Sequence, residues 1–242
     1  MVASVDPDNP LLHDVYHYED ASECPEDIVK YWHQRYEIFS KYDDGVWLTH
    51  DAWFGVTPEP VANKIAAQVA AAAPASKKIL VDAFAGAGGN TIAFALSNRW
   101  ERIFAIESDP QVLECAKHNA EVYGVSSKIF WIKGDSFEEV KKRMKPLGGD
   151  AVIFASPPWG GPGYRDDEVF DLKTMQPYGL GELYRCYERI SKEIVLFLPR
   201  TSDLNQLAKY AGEEGGLQVA HYCMHGASKA LCAYYGNFGP IA

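Results

Sequence analysis

The chain has 242 residues, of which 47% are hydrophobic and 23% charged, and this length can bury the core of one full domain. The formal net charge is −10, whereas a protein that follows a long stretch of nucleic-acid backbone is normally basic. The charge therefore argues against wide-footprint binding to RNA or DNA, but it is compatible with a nucleotide or a small RNA feature as substrate.

The five cysteines are scattered and include no Cys-x-x-Cys pair, which argues against zinc and against a disulfide framework and is typical of a reducing compartment. No apolar run reaches 18 residues, and the start MVASVDPDNP lacks the basic and apolar stretches of a secretory signal. We therefore expect no metal site, no membrane span and no secretion.

The first 75 residues are expected to form an N-terminal arm and a helical extension. Residues 1–20 are rich in Asp, Pro and His without periodicity, which predicts a loose arm. A helix is predicted to begin at Pro25 and to end at KYDDG, with an apolar face made of Ile28, Trp32, Tyr36 and Phe39. A second helix should start near Pro58 and run to about Ala73.

After Ser76 short apolar runs alternate with amphipathic stretches. The strand-like runs are KILVDAF, RIFAIES, KIFWIKGD, DAVIFAS and EIVLFLP, and the helical patterns between and after them cover 89–98, 110–123, 136–145, 175–191 and 202–213. Strands and helices in strict alternation predict a doubly wound α/β domain around a parallel sheet.

The C-terminal end of the chain differs, because LQVAHYCMHG and ASKALCAYYG follow each other without a helix and predict an antiparallel hairpin. Five βα units closed by such a hairpin, giving a mostly parallel sheet of seven strands, are the layout of the class I S-adenosylmethionine-dependent methyltransferase fold. We expect this domain to span residues 76–242.

The predicted cofactor site begins at VDAFAGAGGNT, after the first strand of the sheet. Gly86 and Gly88 allow a tight turn at a helix N-terminus, although such a run alone equally fits an ordinary strand-to-helix turn. Asp82, at the strand end, suits the amino group of a methionine moiety and would repel a pyrophosphate. From the same motif we also assign Phe84, Asn90 and Thr91 to this site.

Acidic residues also end the next two strands. Glu107 stands where an acid would hydrogen-bond ribose hydroxyls, and Asp109 is interpreted as a helix cap before Pro110. Asp135, followed by Ser136, could accept a hydrogen bond from an adenine amino group or cap the next helix. Together, the acids and the glycine turn favour adenosine attached to an amino acid with a positive sulfonium.

The fourth strand ends in FASPPWGGPGY, which predicts the catalytic loop. Pro157 and Pro158 fix the backbone, so that the Ser156 hydroxyl can accept from an exocyclic amino group while the Trp159 face holds the ring. Such an amine needs alignment more than a general base, since water can take its proton after methylation. The alternative is a structural turn with a core tryptophan.

The Trp159 indole also bears on the charge of the base. Indole faces attract cations, so 7-methylguanine should stack on Trp159 better than a neutral ring. Tyr164 and Arg200 are placed where they could meet phosphates on that base, although Arg200 could also be a plain surface charge. The seven histidines show no spacing for a nucleophile pair or a metal, and His118 is predicted to be an exposed helix residue.

From about Tyr31 to the C-terminus the chain resembles the trimethylguanosine synthase family of RNA cap guanine-N2 methyltransferases. The resemblance rests on YWHQRYEIFSKYDDG, WFGVTPE, VDAFAGAGGNTIAFA, NAEVYGV, SPPWGGPGY and FLPR. It implies transfer of two methyl groups to N2 of a 7-methylguanosine cap on small nuclear and nucleolar RNAs. It also implies S-adenosyl-L-methionine as cofactor, S-adenosyl-L-homocysteine as product, contacts with snRNP or snoRNP proteins, a monomer, and a nuclear or nucleolar location.

The resemblance also implies roles for individual residues. Trp159 would stack on the base with Ser156 and Pro157 beside its N2, while Tyr164 and Arg200 would face the cap phosphates. Cofactor contacts would come from the acids already named and from Thr57 in the N-terminal region, which would close over the site as part of the catalytic unit. Two departures are Glu107, where Asp is common, and Trp47, where some members have a lysine near the cap phosphates.

Two alternatives remain compatible with these residues. The first is a methyltransferase that acts on amino groups of internal RNA or DNA bases, which would share the Pro-Pro-aromatic run. The second is a non-catalytic cap-binding adaptor on the same fold, but such a chain should have lost an acid or a glycine from the cofactor site.

Overall fold

The computed structural model describes residues 4–147, 149–160, 168–212 and 216–241. Its N-terminal part consists of short elements that precede the main sheet. They are β1 (Val15–Tyr16), α1 (Val29–Trp32), α2 (Arg35–Ile38), β2 (Leu48–Thr49), α3 (Ala52–Gly55) and α4 (Glu59–Ala72). The helix α4 confirms the second predicted helix, with Pro58 directly before its first residue.

The prediction of a loose arm is wrong for its described part. The strand β1 pairs antiparallel with β2, and Val15 is completely buried. Tyr18 is also buried, its N–H donates to the Tyr42 hydroxyl at 3.0 Å, and its carbonyl accepts from the Trp32 indole N–H at 3.0 Å. The arm is thus anchored by apolar burial and by hydrogen bonds to distant residues.

The single helix predicted from Pro25 is also wrong, because α1 and α2 are separate turns. Trp32 is buried with its indole held by Tyr18, whereas Tyr36 is 47% exposed and does not contribute to the buried face. Tyr36 instead donates to Asp43 at 2.7 Å and accepts from Arg35 at 2.8 Å. The face that the periodicity assigned to the core is therefore buried at Trp32 but exposed at Tyr36.

In the described part of the chain, seven strands form one sheet in the order β5-β4-β3-β6-β7-β9-β8. The pairs among β3 to β7 are parallel, and β9 is antiparallel to both β7 and β8. This confirms the predicted class I fold with its terminal hairpin. The strands are β3 (Ile79–Asp82), β4 (Arg102–Glu107), β5 (Ile129–Lys133), β6 (Ala151–Ala155), β7 (Ile194–Pro199), β8 (Leu217–Met224) and β9 (Ala227–Tyr235).

The connecting helices are shorter than the periodicity predicts. The segment predicted as helix over 175–191 is helical only over 180–187, and Met175 packs into the core without helical backbone. The predicted helix over 136–145 continues from its α-helical start into a π-helical turn, Val140–Met144. The helices are α5 (Gly89–Leu96), α6 (Pro110–Val122), α7 (Ser136–Glu139), α8 (Leu180–Tyr187) and α9 (Leu204–Ala208).

The sheet topology determines where a ligand can bind. The strand β3 lies between β4 and β6, so the chain leaves it on one side and returns on the other. Parallel strands end at the same edge, and the crevice at such a switch point is the usual ligand site of an open α/β sheet. Asp82, the last residue of β3, is in register with Ala105 of β4 and with Phe154 of β6.

The N-terminal elements share a hydrophobic core with one face of the sheet. Val15, Trp32 and Trp53 belong to the same buried cluster as Phe94 of α5 and Phe154 of β6. The helix α4 packs along α5 through buried side chains such as Ile65. Among the described residues, no helix has the length and hydrophobicity needed to cross a membrane.

Candidate active site

The glycine-rich turn after β3 requires its glycines for two different reasons. Gly86 and Gly88 have φ angles of +54° and +95°, in the left-handed region that side chains rarely adopt. At Gly89 a Cβ atom would lie 3.1 Å from Val56 Cγ2 and 3.2 Å from the Thr57 carbonyl oxygen. The turn therefore brings the chain before α4 into direct contact with the start of α5.

Thr57 and Asn90 meet at this contact. The Asn90 side-chain amide donates to the Thr57 hydroxyl at 2.9 Å, and both residues are buried. The other atom of the same amide group, Asn90 Oδ1, is buried and has no hydrogen-bond partner within the described residues. A buried acceptor without a donor is costly, so this atom is suited to accept from a ligand N–H.

Asp82 lies behind the turn with no exposed surface. Its carboxylate accepts from the Thr91 hydroxyl at 2.6 Å and from the Phe84 N–H at 3.4 Å, and Thr91 is fully buried as well. Burial, and secondarily the charge of Glu107, raise the pKa of Asp82 to about 6. The predicted contact with a methionine amino group stays a prediction, since the carboxylate faces the protein interior here.

Glu107 is half-buried and held in place by backbone donors. Its Oε2 accepts from the Gly86 N–H at 2.9 Å and its Oε1 from the Asp109 N–H at 2.9 Å. The glycine turn and the end of β4 therefore orient one carboxylate between them. Asp109 caps α6 through the N–H groups of Gln111 and Val112, which confirms its interpretation as a helix cap.

The two carboxylate oxygens of Asp135 accept hydrogen bonds from different partners. Oδ1 accepts from the N–H groups of Phe137 and Glu138 and so caps α7, while Oδ2 accepts from the Tyr178 hydroxyl at 2.8 Å. Ser136, assigned to the cofactor site from the sequence, is 4% exposed with its hydroxyl 2.8 Å from that of Tyr187. Any ligand contact of Ser136 would have to come from its backbone.

The loop after β6 carries the predicted catalytic residues. Pro157 is buried and Ser156 is half-buried, and within the described ranges the Ser156 hydroxyl makes no hydrogen bond. The Trp159 indole N–H donates to the Phe197 carbonyl oxygen on β7 at 3.3 Å, and the two rings are 5.5 Å apart at 39°. The half-buried indole is thus supported by the neighbouring strand.

Arg200 and Tyr164 are the two residues predicted to contact the cap phosphates. Arg200 is exposed directly after β7, on the edge of the sheet where the Ser156 loop also begins. Tyr164 lies outside the described residues.

The position of Trp47 is linked to the glycine turn through α6. The Asn119 side chain donates to the carbonyl oxygens of Trp47 and Ala87, at 2.9 and 3.0 Å, and accepts from the Trp47 N–H. The ring of His118 stacks on Trp47 with centroids 3.6 Å apart, so the prediction of an exposed His118 is wrong. Neither contact leaves a signal in the local sequence, because the partners are more than seventy positions apart.

The site as a whole offers acceptors, an aromatic face and a helix N-terminus. Within the described ranges, no group of three or more His, Cys, Asp or Glu residues could hold a metal ion. Acceptors follow β3, β4 and β5 in turn, and a rigid aromatic loop follows β6, on the other side of the switch point. Sequence reasoning missed Tyr178 and Asn119, which contact the site only through the tertiary structure.

Comparison with known proteins assigns this geometry to a family. The sequence model of a family described as RNA cap guanine-N2 methyltransferase matches residues 77–238. A trimethylguanosine synthase of Schizosaccharomyces pombe is 38% identical over 219 residues, covering 90% of each chain. One of Saccharomyces cerevisiae is 35% identical over 218 residues, covering 87% of this chain and 68% of the relative.

Solved structures agree at the level of the fold. A protein described as a methyltransferase from Porphyromonas gingivalis superposes with a TM-score of 0.65 at 15% identity, covering 91% of this chain and 55% of the other. A SAM-dependent methyltransferase from Agrobacterium tumefaciens gives a TM-score of 0.55 at 14% identity, covering 76% and 63%. With its specific loop, its glycine turn and relatives that match over most of their length, the chain belongs to the RNA cap guanine-N2 methyltransferase family.

Proposed function

We propose that the chain transfers methyl groups from S-adenosyl-L-methionine to the exocyclic N2 of a 7-methylguanosine cap, in two steps that give 2,2,7-trimethylguanosine. Its membership in the cap guanine-N2 methyltransferase family supports the reaction class. The observation that carries the assignment is the position of Trp159, on a proline-stiffened loop at the switch point of the sheet, supported by β7.

The residues present fit the cofactor. Asn90 Oδ1 is a buried acceptor without a partner in the described chain, as the ammonium group of a methionine moiety requires, and it adjoins the start of α5. Glu107 is already oriented by two backbone N–H groups and can accept from ribose hydroxyls. Asp135, one strand further from the turn, suits the adenine amino group. When bound, the cofactor supplies a methyl group on a sulfonium, whose thioether leaves as a neutral molecule.

The acceptor side of the site aligns the amine. We assign the indole face of Trp159 to the cationic purine, since it combines stacking with a cation–π attraction. We assign the Ser156 hydroxyl and the backbone carbonyl oxygen of Pro157 as acceptors for the N2 amino group, which would direct its lone pair towards the methyl group. Alignment of this kind contributes several kcal/mol to catalysis, so no residue is needed as a general base. Arg200 would pair with the cap phosphates, and Tyr164 is assigned the same role from the family resemblance.

We also assign the N-terminal arm and extension, residues 1–75, to the active site of the methyltransferase domain, residues 76–242. Thr57 supports this, because its hydroxyl accepts from Asn90 and its carbonyl oxygen packs on Gly89. Trp47 supports it through Asn119, which bridges to Ala87 of the glycine turn. The hydrophobic core that the extension shares with the sheet also supports this assignment.

The biological substrates follow from the same proposal. The RNAs would be capped small nuclear and nucleolar RNAs, recognised by their caps and presented with their snRNP or snoRNP proteins. The enzyme would act as a monomer in the nucleus or nucleolus. An overall net charge of −10 supports recognition of a small feature such as a cap instead of a long RNA.

The test compares 7-methyl-GTP with GTP as acceptors of a labelled methyl group from S-adenosylmethionine. We expect transfer to 7-methyl-GTP and little to GTP, with mass spectrometry showing first one and then two added methyl groups. Equal use of both acceptors would favour a methyltransferase of internal bases. Binding of S-adenosylhomocysteine and of the cap without transfer to any capped acceptor would favour the non-catalytic adaptor.

A further inference from the structure

Tyr178 contacts the adenine end of the cofactor site, although it is not part of any motif that identifies the family. Its hydroxyl donates to Asp135 Oδ2 at 2.8 Å. Its ring is stacked on Phe137, with centroids 3.7 Å apart and planes 11° from parallel. The hydrogen bond to Asp135 and, secondarily, burial raise the pKa of Tyr178 to about 12, so its hydroxyl remains a donor at neutral pH.

The backbone on both sides of this contact is firmly placed. Tyr178 stands two residues before α8, whose first turn is held by a hydrogen bond from the Leu180 N–H to the Leu172 carbonyl oxygen at 3.0 Å. On the other side, Asp135 is fixed by capping α7. Tyr187 of α8 is hydrogen-bonded to Ser136, so α7 and α8 are also joined by a buried contact. The hydroxyl of Tyr178 therefore meets a carboxylate that cannot easily rotate.

The hydrogen-bonding capacity of Asp135 leaves one place for a ligand. Oδ1 is used by two backbone N–H groups, and a carboxylate oxygen such as Oδ2 can accept two hydrogen bonds. Tyr178 takes one of these positions. The remaining lone pair of Oδ2 is an acceptor with a defined direction at the end of β5, two strands away from the glycine turn.

We propose that Tyr178 is a positioning residue that sets the preference of this site for a 6-amino purine by fixing Asp135 Oδ2 as an acceptor. The proposal rests on the proposed function, because it requires the adenosyl group of the cofactor to reach Asp135. Tyr178 itself makes no contact with the purine. It acts through the direction of one lone pair, which favours the N–H of a 6-amino group and disfavours the oxygen of a 6-oxo group.

The experiment measures calorimetric dissociation constants for S-adenosylhomocysteine and for S-inosylhomocysteine, in which an oxygen replaces the 6-amino group. The wild-type chain should bind the adenosyl compound more tightly. Tyr178→Phe keeps the ring on Phe137 and removes the hydroxyl. We expect the ratio of the inosyl to the adenosyl dissociation constant to fall about fivefold, which corresponds to the loss of one hydrogen bond of ordinary strength. Tyr184→Phe, on α8 with its ring against Tyr210 and Tyr235, is the matched control and should keep the wild-type ratio.

Asp135→Asn provides a second variant that should still fold, because asparagine caps helices as well as aspartate does. Its Oδ1 would keep the cap and its amide N–H₂ would face the purine, so the preference should shift towards the inosyl compound. In this background Tyr178→Phe should cause no further fall in the ratio, since both changes act on the same atom.

The outcomes separate this inference from the proposed function. An unchanged ratio in Tyr178→Phe overturns the inference, whether the two affinities fall together, as for a purely structural residue, or rise together, as for a residue that blocks the pocket. A wild-type ratio near one also overturns it while leaving cofactor binding intact. Failure of the wild-type chain to bind S-adenosylhomocysteine at all would instead contradict the proposed function.

Discussion

The cofactor half and the acceptor half of the site are held in place by different means. Around the ends of β3, β4 and β5, the carboxylates of Asp82, Glu107 and Asp135 each accept at least two hydrogen bonds from the chain. After β6, in contrast, stiffness comes from two consecutive prolines and from the support that Phe197 gives to the indole of Trp159.

Because of this contrast, the two halves should respond differently to substitution. A carboxylate that is part of a network transmits its loss to neighbouring N–H groups and to the stability of the fold. The Trp159 side chain lies outside this carboxylate network, so its removal leaves those hydrogen bonds in place. We therefore expect substitutions in the acceptor half to affect transfer, and those in the cofactor half to affect cofactor affinity or stability.

The largest effect is expected for Trp159→Ala. Because the indole faces the base and not the cofactor in our proposal, methyl transfer to 7-methyl-GTP should fall about a hundredfold or more while the dissociation constant of S-adenosylhomocysteine changes less than about twofold. Trp159→Phe keeps an aromatic face and should recover part of the activity. Loss of cofactor binding together with transfer, in calorimetry, would mean that the indole supports the whole site.

The next largest effect is expected in the stability of Asp82→Asn. Burial raises the pKa of Asp82 from 3.8 to about 6, so the folded chain binds more protons than the unfolded chain between these values. The contribution of the Asp82 carboxyl to the free energy of unfolding is thus full below pH 4 and is lost as the pH rises through 6. The loss amounts to roughly 2 to 3 kcal/mol. Asp82→Asn should unfold at higher temperature than the wild type at pH 7.5.

The difference in unfolding temperature between Asp82→Asn and the wild type should shrink as the pH falls from 7.5 towards 4.5. Thermal unfolding measured across this pH range tests the prediction. The same variant should bind S-adenosylhomocysteine more weakly if a charged Asp82 contributes to the cofactor site. A variant that is less stable than the wild type at pH 7.5 would show that the ionised carboxylate is well compensated where it is.

A smaller effect is expected for Glu107→Ala, which leaves the N–H groups of Gly86 and Asp109 without their acceptor. The dissociation constant of S-adenosylhomocysteine should rise about tenfold to thirtyfold, since a charge-assisted acceptor is lost. With saturating cofactor the rate of transfer should change much less. Glu101→Ala, an exposed acid before β4 at the opposite edge of the sheet, is the control. A fall in the saturated rate with unchanged affinity would contradict the division into halves.

The smallest effect is expected for Arg200→Ala. The exposed guanidinium would contact cap phosphates in partly solvated surroundings, so the KM for 7-methyl-GTP should rise only about fivefold, and less at high salt. Cofactor affinity should not change. Lys192→Ala, an exposed cation before the start of β7, is the control. An equal rise in KM for Arg200→Ala and Lys192→Ala would mean that Arg200 contributes only its positive charge and makes no specific contact with the phosphates.

The fold itself could be predicted from local patterns. The alternation of apolar runs with amphipathic stretches placed all the strands of the sheet, and the missing helix between the last two runs identified the hairpin. The second helix starts next to Pro58, as predicted, because proline suits the start of a helix. Helix lengths were less certain, since segments such as the one around Met175 are buried without being helical.

Local sequence patterns are enough to predict which residues end the strands of the sheet. They therefore also predict that acids, a glycine turn and a Pro-Pro-Trp loop lie together at one edge. Parallel strands guarantee this, because all their carboxyl ends lie on the same side. The sequence also determined the family, through the loop around Trp159 and the WFGVTPE run, which the comparisons confirmed.

Only the tertiary structure decided what each of these side chains contacts. It turned Asp82 and Ser136 towards the interior, anchored the N-terminal arm through Tyr18, and brought Tyr178 to Asp135 from 43 positions away. Hydrogen bonds and ring contacts between distant residues depend on packing, which local periodicity does not encode. For that reason the direction of a carboxylate or a hydroxyl in this site could be known only from the tertiary structure.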